Sequence, residues 1–384
     1  MEPFTIDTIL LTALGTLFLV QAIYYLGLYN KVYTHNKVTA SSDAEATLPP
    51  LSVIIVAKDT PQELQENLPS ILEQDYPEFE IIVIHDRLAG DCDDVLKILE
   101  DKYSNLYHTF IPDSARYISH KKLGITMGIK ASRYDWLVFT ESNCRPQSNQ
   151  WLRKMARNFT PATEIVLGYS NYEKASGWFN KKIIFDTLLN SMRYLGMALA
   201  GHPYMGTGRN LAYRKVLYYK QKGFSAHLNL QRGEDDLFVN ETANSHNVKV
   251  ETSPESIIRI SAPKYKRMWC EEKINYMATS RFFKGTARYL MGWETCTRLL
   301  FYAATLAALS IGILSHRWIM PGVALLLWVL RFTIQLVVFR KSGKELNERK
   351  FYALLPVFDL LQPLWNLGFK LQQRLRGKNE FLRK

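Results

Sequence analysis

The 384-residue chain carries 48 basic against 36 acidic side chains, a formal charge of +12. That length allows one large domain with extra elements, and the charge suits nucleic acid, an anionic membrane face or phosphorylated substrates. The basic residues flank long apolar runs instead of forming one compact patch, which favours the membrane over nucleic acid.

Cys92, Cys144, Cys270 and Cys296 are scattered without C-x-x-C spacing, so neither a zinc site nor a disulfide frame is expected, and a reduced cytosolic setting fits. Thr8 to Tyr29 holds no charged side chain over about 20 residues, the length needed to cross a bilayer. Glu2 and Asp7 precede it, no Lys or Arg does, and no small-residue cleavage site follows, so it reads as an anchor and not a signal peptide. Lys31 and Lys37 come next, which puts the N-terminus outside and the following chain in the cytoplasm.

Asn36 to Pro50 reads as a polar linker. Leu51 to Ala57 is an apolar, β-branched run, the pattern of a strand buried on both faces of a parallel sheet. Thr60-Pro61-Gln62-Glu63 predicts a capping box with proline at the first helical position, followed by Leu64, Leu68, Ile71 and Leu72 at helical spacing. Pro77 ends that helix region, because the residue before a proline leaves the α conformation. Glu80 to Ile84 is a second strand closing at His85-Asp86, and strand, helix, strand with short joints makes a right-handed crossover of a doubly wound α/β domain. Asp91 to Tyr103 and Lys121 to Ala131 are the next helices.

Trp136 to Phe139 is a buried strand that runs into a polar loop holding Glu141 and Asn143. Ligands of open α/β sheets bind beyond the carboxyl ends of strands, and such oxygens can hold a hard divalent cation; an ordinary polar turn is the competing reading. Ile165 to Leu167 is a further strand, and Ile183 to Ala200 a helix expected in the core in preference to the membrane. Gly206 to Asn210 is a glycine turn before Leu211-Ala212-Tyr213, and G-x-G alone points to no ligand. Gly233-Glu234-Asp235-Asp236 is either a solvated helix start or an acidic cluster in which like-charge repulsion raises one pKa and creates a general base.

Basic and aromatic residues interleave from Lys264 to Trp293, a mix able to stack single-stranded nucleic acid. The apolar run that follows at Leu299 favours an interfacial amphipathic helix. Leu299 to Leu314 and Ile319 to Phe339 form a membrane hairpin turning at Ser315 to Trp318. Its Arg331 is costly in lipid and should face protein or water. Phe351 to Leu371, interrupted by Pro356, Asp359 and Pro363, reads as interfacial or re-entrant, because a span there would put the basic tail outside.

The chain resembles the membrane-bound family 2 glycosyltransferases in seven stretches that occur in order. They are Leu51 to Asp59, Ser70 to Pro77, Glu80 to Asp86, Lys121 to Ala131, F-T-E-S-N-C-R-P from Phe139, Gly206 to Lys215, and G-E-D-D-L-F from Gly233. The resemblance implies a GT-A (doubly wound, Rossmann-like) cytosolic domain with N- and C-terminal transmembrane helices, working on a UDP- or GDP-linked sugar with Mg²⁺ or Mn²⁺. It implies that Asp86 contacts the nucleotide, that Lys122 lies near it, and that Glu141 and Asn143 stand at the metal-binding D-x-D. It makes Asp235 the base that deprotonates the acceptor, with Gly208, Arg209 and Glu234 also on the substrate. Three motifs depart from the family pattern: His85-Asp86 replaces an acidic pair, Glu141-Ser142-Asn143 replaces D-x-D, and Glu272 to Tyr276 replaces the Gln-x-x-Arg-Trp type motif.

The expected organisation is an anchor (1–30), a linker (31–50), the GT-A domain (51–262), interfacial helices (263–298), a transmembrane hairpin (299–340) and a basic interfacial region (341–384). The expected activity is sugar transfer to a lipid-linked or polysaccharide acceptor at the inner membrane, with the catalytic domain cytoplasmic and no nucleic-acid partner. The alternative is a catalytically degenerate relative acting as a binding or regulatory partner in envelope polysaccharide synthesis.

Overall fold

A computed structural model describes residues 6–39, 48–57, 60–86, 90–112 and 119–375. The middle of the expected linker, the Lys58-Asp59 end of the first motif and the tail from Arg376 lie outside the described residues. The N-terminal rod is α1 (Ile6–Ile23), a π-helical stretch (Tyr24–Tyr29) and α2 (Asn30–Thr39). Helix therefore continues into residues that the sequence reads as linker.

β1 (Leu51–Ala57) is buried almost throughout, and α3 (Pro61–Leu72) buries Leu64, Leu68, Ile71 and Leu72 against the sheet. The expected capping box does not close. Thr60 makes no side-chain cap, and its hydroxyl donates instead to Ser142 Oγ at 3.0 Å, tying the start of the helix to the Glu141 loop. β2 (Phe79–Asp86), α4 (Gly90–Lys102) and β3 (Leu106–Ile111) continue the winding on one side of β1. α5 (His120–Ala131) then crosses to β4 (Trp136–Glu141) on the other side. Gly128 permits that crossing, since a Cβ there would lie 2.6 Å from Ile54 Cγ2.

The remaining domain elements are β5 (Cys144–Pro146), α6 (Trp151–Ala156), β6 (Ile165–Gly168), β7 (Ser170–Tyr172), α7 (Trp178–Leu199), β8 (Leu211–Arg214), α8 (Lys215–Lys220), α9 (Asp236–Thr242), β9 (Val248–Glu251) and β10 (Ile258–Ile260). The main sheet has the order β3-β2-β1-β4-β8-β6-β9, and a small sheet has the order β5-β10-β7. β1 pairs in parallel with both β2 and β4, while β8 runs antiparallel to β4. This mixed, Rossmann-like sheet is the expected doubly wound class. Strand order reverses between β1 and β4, and the crevice beyond their carboxyl ends is where such sheets bind ligands.

The C-terminal helices are α10 (Lys266–Thr279), α11 (Ala287–Leu314), α12 (Ile319–Glu345) and α13 (Leu354–Leu375). Among the described residues three helical stretches are long and apolar enough to cross a membrane: Asp7–His35, Ala287–Leu314 and Ile319–Glu345. The first helix of the hairpin thus starts at Ala287 instead of Leu299, taking over part of the expected interfacial segment. α7 is largely core, as its apolar content suggests. A Cβ on Gly196 would lie 2.8 Å from the Leu28 carbonyl oxygen, so α7 docks closely on the N-terminal rod.

Arg331 does face protein. Its guanidinium donates to Asp359 Oδ2 at 2.8 Å and Gln21 Oε1 at 3.0 Å. Arg298 donates to the other Asp359 oxygen at 3.0 Å and to Gln362 Oε1 at 2.9 Å, and the Tyr302 hydroxyl donates to Asp359 at 2.8 Å. Gln362 also donates to Asp186 of α7 at 3.1 Å, and Asp186 pairs with Lys273 of α10. A buried polar chain therefore joins the apolar helices to the sheet domain.

Candidate active site

The cleft at the β1/β4 switch point is lined by Val56 of β1, Phe139 and Thr140 of β4, Lys121 of α5, Gly208 and the acids Glu234 and Asp235. Apolar strand ends form its floor, and charged side chains converge above them.

Glu141 ends β4 with both oxygens engaged by cations, Lys121 Nζ at 2.6 Å and Arg209 Nε at 2.9 Å. Burial alone would raise its carboxyl, but Lys121 and then Arg209 outweigh burial and hold it well below the usual carboxylate range. Lys121 also lies 3.0 Å from Glu234, whose other cationic neighbour, Arg232, is 3.8 Å away. Burial disfavours the Lys121 ammonium, yet Glu141 and Glu234 together push its pKa up. Arg209 reaches Glu272 of α10 at 2.5 Å and lies over the Tyr172 ring.

The three consecutive acids diverge. Glu234 turns to Lys121, and Asp236 turns inward to the Thr279 hydroxyl. Asp235 caps α9, its Oδ1 accepting from the Asp236 N–H at 2.8 Å. Its Oδ2 accepts from the Gly208 N–H at 2.8 Å and from the Tyr276 hydroxyl at 3.3 Å. Burial and then the Glu234 charge raise the Asp235 pKa, against the opposing pull of Lys121 and the two amides. A carboxylate held this way is oriented for one task and is a better proton acceptor than an exposed aspartate.

Of the residues singled out in the sequence, Glu141, Gly208, Arg209, Glu234 and Asp235 come together here. Asp86 stands to one side at the end of β2, 3.2 Å from His120, the residue before Lys121. Asn143 follows Glu141 in the turn, its amide oxygen accepting from the Cys144 thiol at 3.5 Å. Lys122 does not enter the cleft. Its ammonium is buried and donates to the carbonyls of His227 at 2.5 Å and Leu230 at 2.8 Å, and burial lowers its pKa to about 8. One helical residue is a turn of about 100°, which carries Lys121 to the cleft and Lys122 to the 227–230 loop. Lys121, Arg232 and Tyr172 had no role assigned from the sequence, whereas Glu272 and Tyr276 lie in the stretch that replaces the Gln-x-x-Arg-Trp type motif. The doubled lysine at the start of α5 was the one signal that could have suggested Lys121.

A model of the glycosyl transferase family 21 matches residues 17–379. The chain belongs to glycosyl transferase family 21. The sequence resemblance pointed to family 2, so the glycosyltransferase assignment stands and the family is family 21. Among solved structures, a mannosyltransferase from Pyrobaculum calidifontis in complex with GDP-Man and Mn²⁺ superposes with a TM-score of 0.54 at 14% identity, over 92% of this chain and 99% of that one. S. aureus TarS 1–349 in complex with UDP-GlcNAc aligns at 12% identity with a TM-score of 0.43, over 86% of this chain and 92% of that one. The first likeness carries the fold alone.

In this family 21 protein the two adjacent lysines should respond differently to substitution. Lys121→Met is expected to weaken binding of a nucleoside diphosphate about 10- to 100-fold, the equivalent of one charge-assisted contact of roughly 1.5–3 kcal/mol. Lys122→Met should lower the unfolding temperature and leave the affinity of the folded protein within about threefold. Titration calorimetry and thermal unfolding on the same samples separate the two, and equal loss of affinity in both variants would contradict the assignment.

Proposed function

We propose that this glycosyltransferase moves a sugar from a UDP- or GDP-linked donor to a lipid-linked or polysaccharide acceptor presented at the membrane. The observation that carries this reading is Asp235, desolvated and triply hydrogen-bonded, in a switch-point cleft beside three cationic side chains. The acceptor hydroxyl gives its proton to Asp235 as its oxygen bonds to the anomeric carbon. The bond from that carbon to the diphosphate oxygen breaks, and the electron pair leaves with the diphosphate. Lys121, Arg209 and Arg232 oppose the charge that develops there. Asp86 is assigned to the nucleoside end of the donor, and Gly208 keeps Asp235 in place through its amide.

The donor set also fits a hard dication. Around the cleft four carboxylates (Glu141, Glu234, Asp235, Glu272) accompany three cations, an excess of negative charge unfavourable to a diphosphate arriving alone. Among the described residues no pair of further carboxylate, imidazole or thiol ligands converges with Glu141. Mg²⁺ sites commonly have this composition, with one or two protein oxygens completed by water and substrate phosphates. Glu141 and the Asn143 amide oxygen would hold the ion only once Lys121 and Arg209 turn from Glu141 to the diphosphate; when bound, the ion supplies Lewis-acid stabilisation of the leaving diphosphate.

The domain limits inferred from the sequence, the inner-membrane location and the cytoplasmic sheet domain belong to the same proposal. Lys31 and Lys37 after the first span, and Arg340, Lys341 and Lys344 after the third, lie on one side by the positive-inside rule. Tyr289 and Trp293, both largely exposed at the start of α11, suit the headgroup level, where an acceptor lipid would approach.

The test is a panel of nucleotide-sugars with membrane-extracted acceptors, assayed after chelation and after Mg²⁺ or Mn²⁺ is added back. Transfer is expected from one donor class, falling at least about tenfold on chelation and recovering with either ion. Binding without turnover for every donor would instead favour a non-catalytic partner role. Transfer unaffected by chelation would remove the metal from the account.

A further inference from the structure

The crossover β2–α4–β3 gathers a second set of metal-ligating groups, separate from the cleft. His85 of β2, Asp93 of α4 and His108 of β3 bring three ligand atoms within 4.8 Å of one another. Asp93 Oδ1 lies 3.3 Å from His108 Nε2 and 3.7 Å from His85 Nε2. Tetrahedral zinc, with bonds of about 2.0–2.1 Å, separates its ligand atoms by roughly 3.3 Å. The Asp93–His108 spacing equals that value, and the other two, 3.7 Å and within 4.8 Å, are wider, so a bound ion would draw His85 inward.

The atoms behind these three are also disposed as metal sites require. The other ring nitrogen of His85 donates to the Asp86 carbonyl at 3.1 Å, which leaves the Nε2 lone pair pointing inward. That Nε2 is buried without a hydrogen-bond partner, in a side chain only 2% exposed. Glu100 Oε2 lies 2.9 Å from His108 Nδ1, a close carboxylate–imidazole contact that makes no hydrogen bond and places a negative charge beside this ring. Lys97 holds the outer Asp93 oxygen at 2.6 Å and leaves Oδ1 to the cluster. Imidazoles backed by a carboxylate or carbonyl, with one lone pair each toward a common point, are the usual surroundings of a bound transition metal.

We infer that His85, Asp93 and His108 form a binding site for a zinc-type divalent transition metal, with a fourth position toward solvent beside the partly exposed Asp93. Two imidazoles select against Mg²⁺ and Ca²⁺, which prefer all-oxygen sites such as Glu141 with Asn143. The site adjoins Asp86, so a metal here pins the end of β2 to α4 and β3, next to the residue assigned to the nucleoside. The expectation of no zinc rested on cysteine spacing, and a His/Asp set drawn from three successive elements escapes that criterion.

The full-length protein in detergent, stripped by chelation and dialysed, is titrated with Zn²⁺ in the presence of excess Mg²⁺ to occupy oxygen-only sites. Wild type is expected to bind about one Zn²⁺ per chain, with X-ray absorption reporting two imidazole nitrogens in the shell. Glu100→Gln should weaken Zn²⁺ about 10-fold by removing the charge beside His108, and His108→Gln, which removes a ligand, should weaken it further. Absence of Zn²⁺ binding by wild type, or a zinc shell of oxygen alone, would overturn the site; because both readouts use wild type, a variant that fails to fold cannot obscure the result.

Discussion

Asp235→Asn is expected to lower glycosyl transfer by about 100- to 10,000-fold, the range lost with a positioned acid–base group, while leaving donor affinity within about threefold. Asparagine keeps the size of the side chain and its acceptor oxygen for the Gly208 amide, but it cannot take a proton. The pH dependence follows from the raised Asp235 pKa. As the proposed base, Asp235 works only when ionised, so kcat/KM is expected to fall as pH drops through that pKa, at a higher pH than an ordinary aspartate near about 3.9 would give. Glu234→Gln removes the neighbouring negative charge and should move the acid limb downward in pH. Asp235→Asn should abolish the limb. Undiminished transfer in Asp235→Asn would return the residue to the role of a helix cap.

The second large effect is on stability. Asp359→Asn takes from the buried Arg331 its carboxylate partner and leaves Arg298 with Glu294 alone, and the expected loss is about 3–5 kcal/mol. Asp359 accepts from both arginines and from Tyr302, whereas the neighbouring carboxylate Glu294 reaches only Arg298, at 3.6 Å. Replacing Asp359, Arg298 and Arg331 together with leucine should recover most of the loss, since a buried charge cluster and an apolar core of similar volume are often close in free energy. Unfolding in detergent, followed by heat or denaturant, checks both outcomes. A change within about 0.5 kcal/mol for Asp359→Asn would mean that water reaches the cluster.

Much of the sheet was legible because its central strands are continuous apolar runs. Leu51 to Ala57, Glu80 to Ile84 and Trp136 to Phe139 can hardly be anything but buried strands. β3 escaped because it is an edge strand whose middle residues, Tyr107 to Phe110, are partly or largely exposed, so its hydrophobic signal is weak. The strands of the small sheet escaped because three residues carry no periodicity. In the site, the acids were visible as motif positions, but their partners were not. Arg209 meets Glu272 across 63 positions of sequence, and only the fold brings them together. Lys122 was chosen over Lys121 because a string of letters hides the phase of a helix. Arg331 shows the opposite case: the cost of charge in lipid required protein around it, although Asp359, read only as an interruption of an apolar run, was not foreseen as its partner.

The cleft between β1 and β4 is the proposed donor site. A structure of the full chain with a bound nucleoside diphosphate tests this most directly. The diphosphate should lie within hydrogen-bonding distance of Lys121 and Arg232, with the nucleoside toward Asp86 and Asp235 facing the open side where the sugar would sit. A diphosphate bound elsewhere on the domain, or bound here with Asp235 screened from it, would contradict the account.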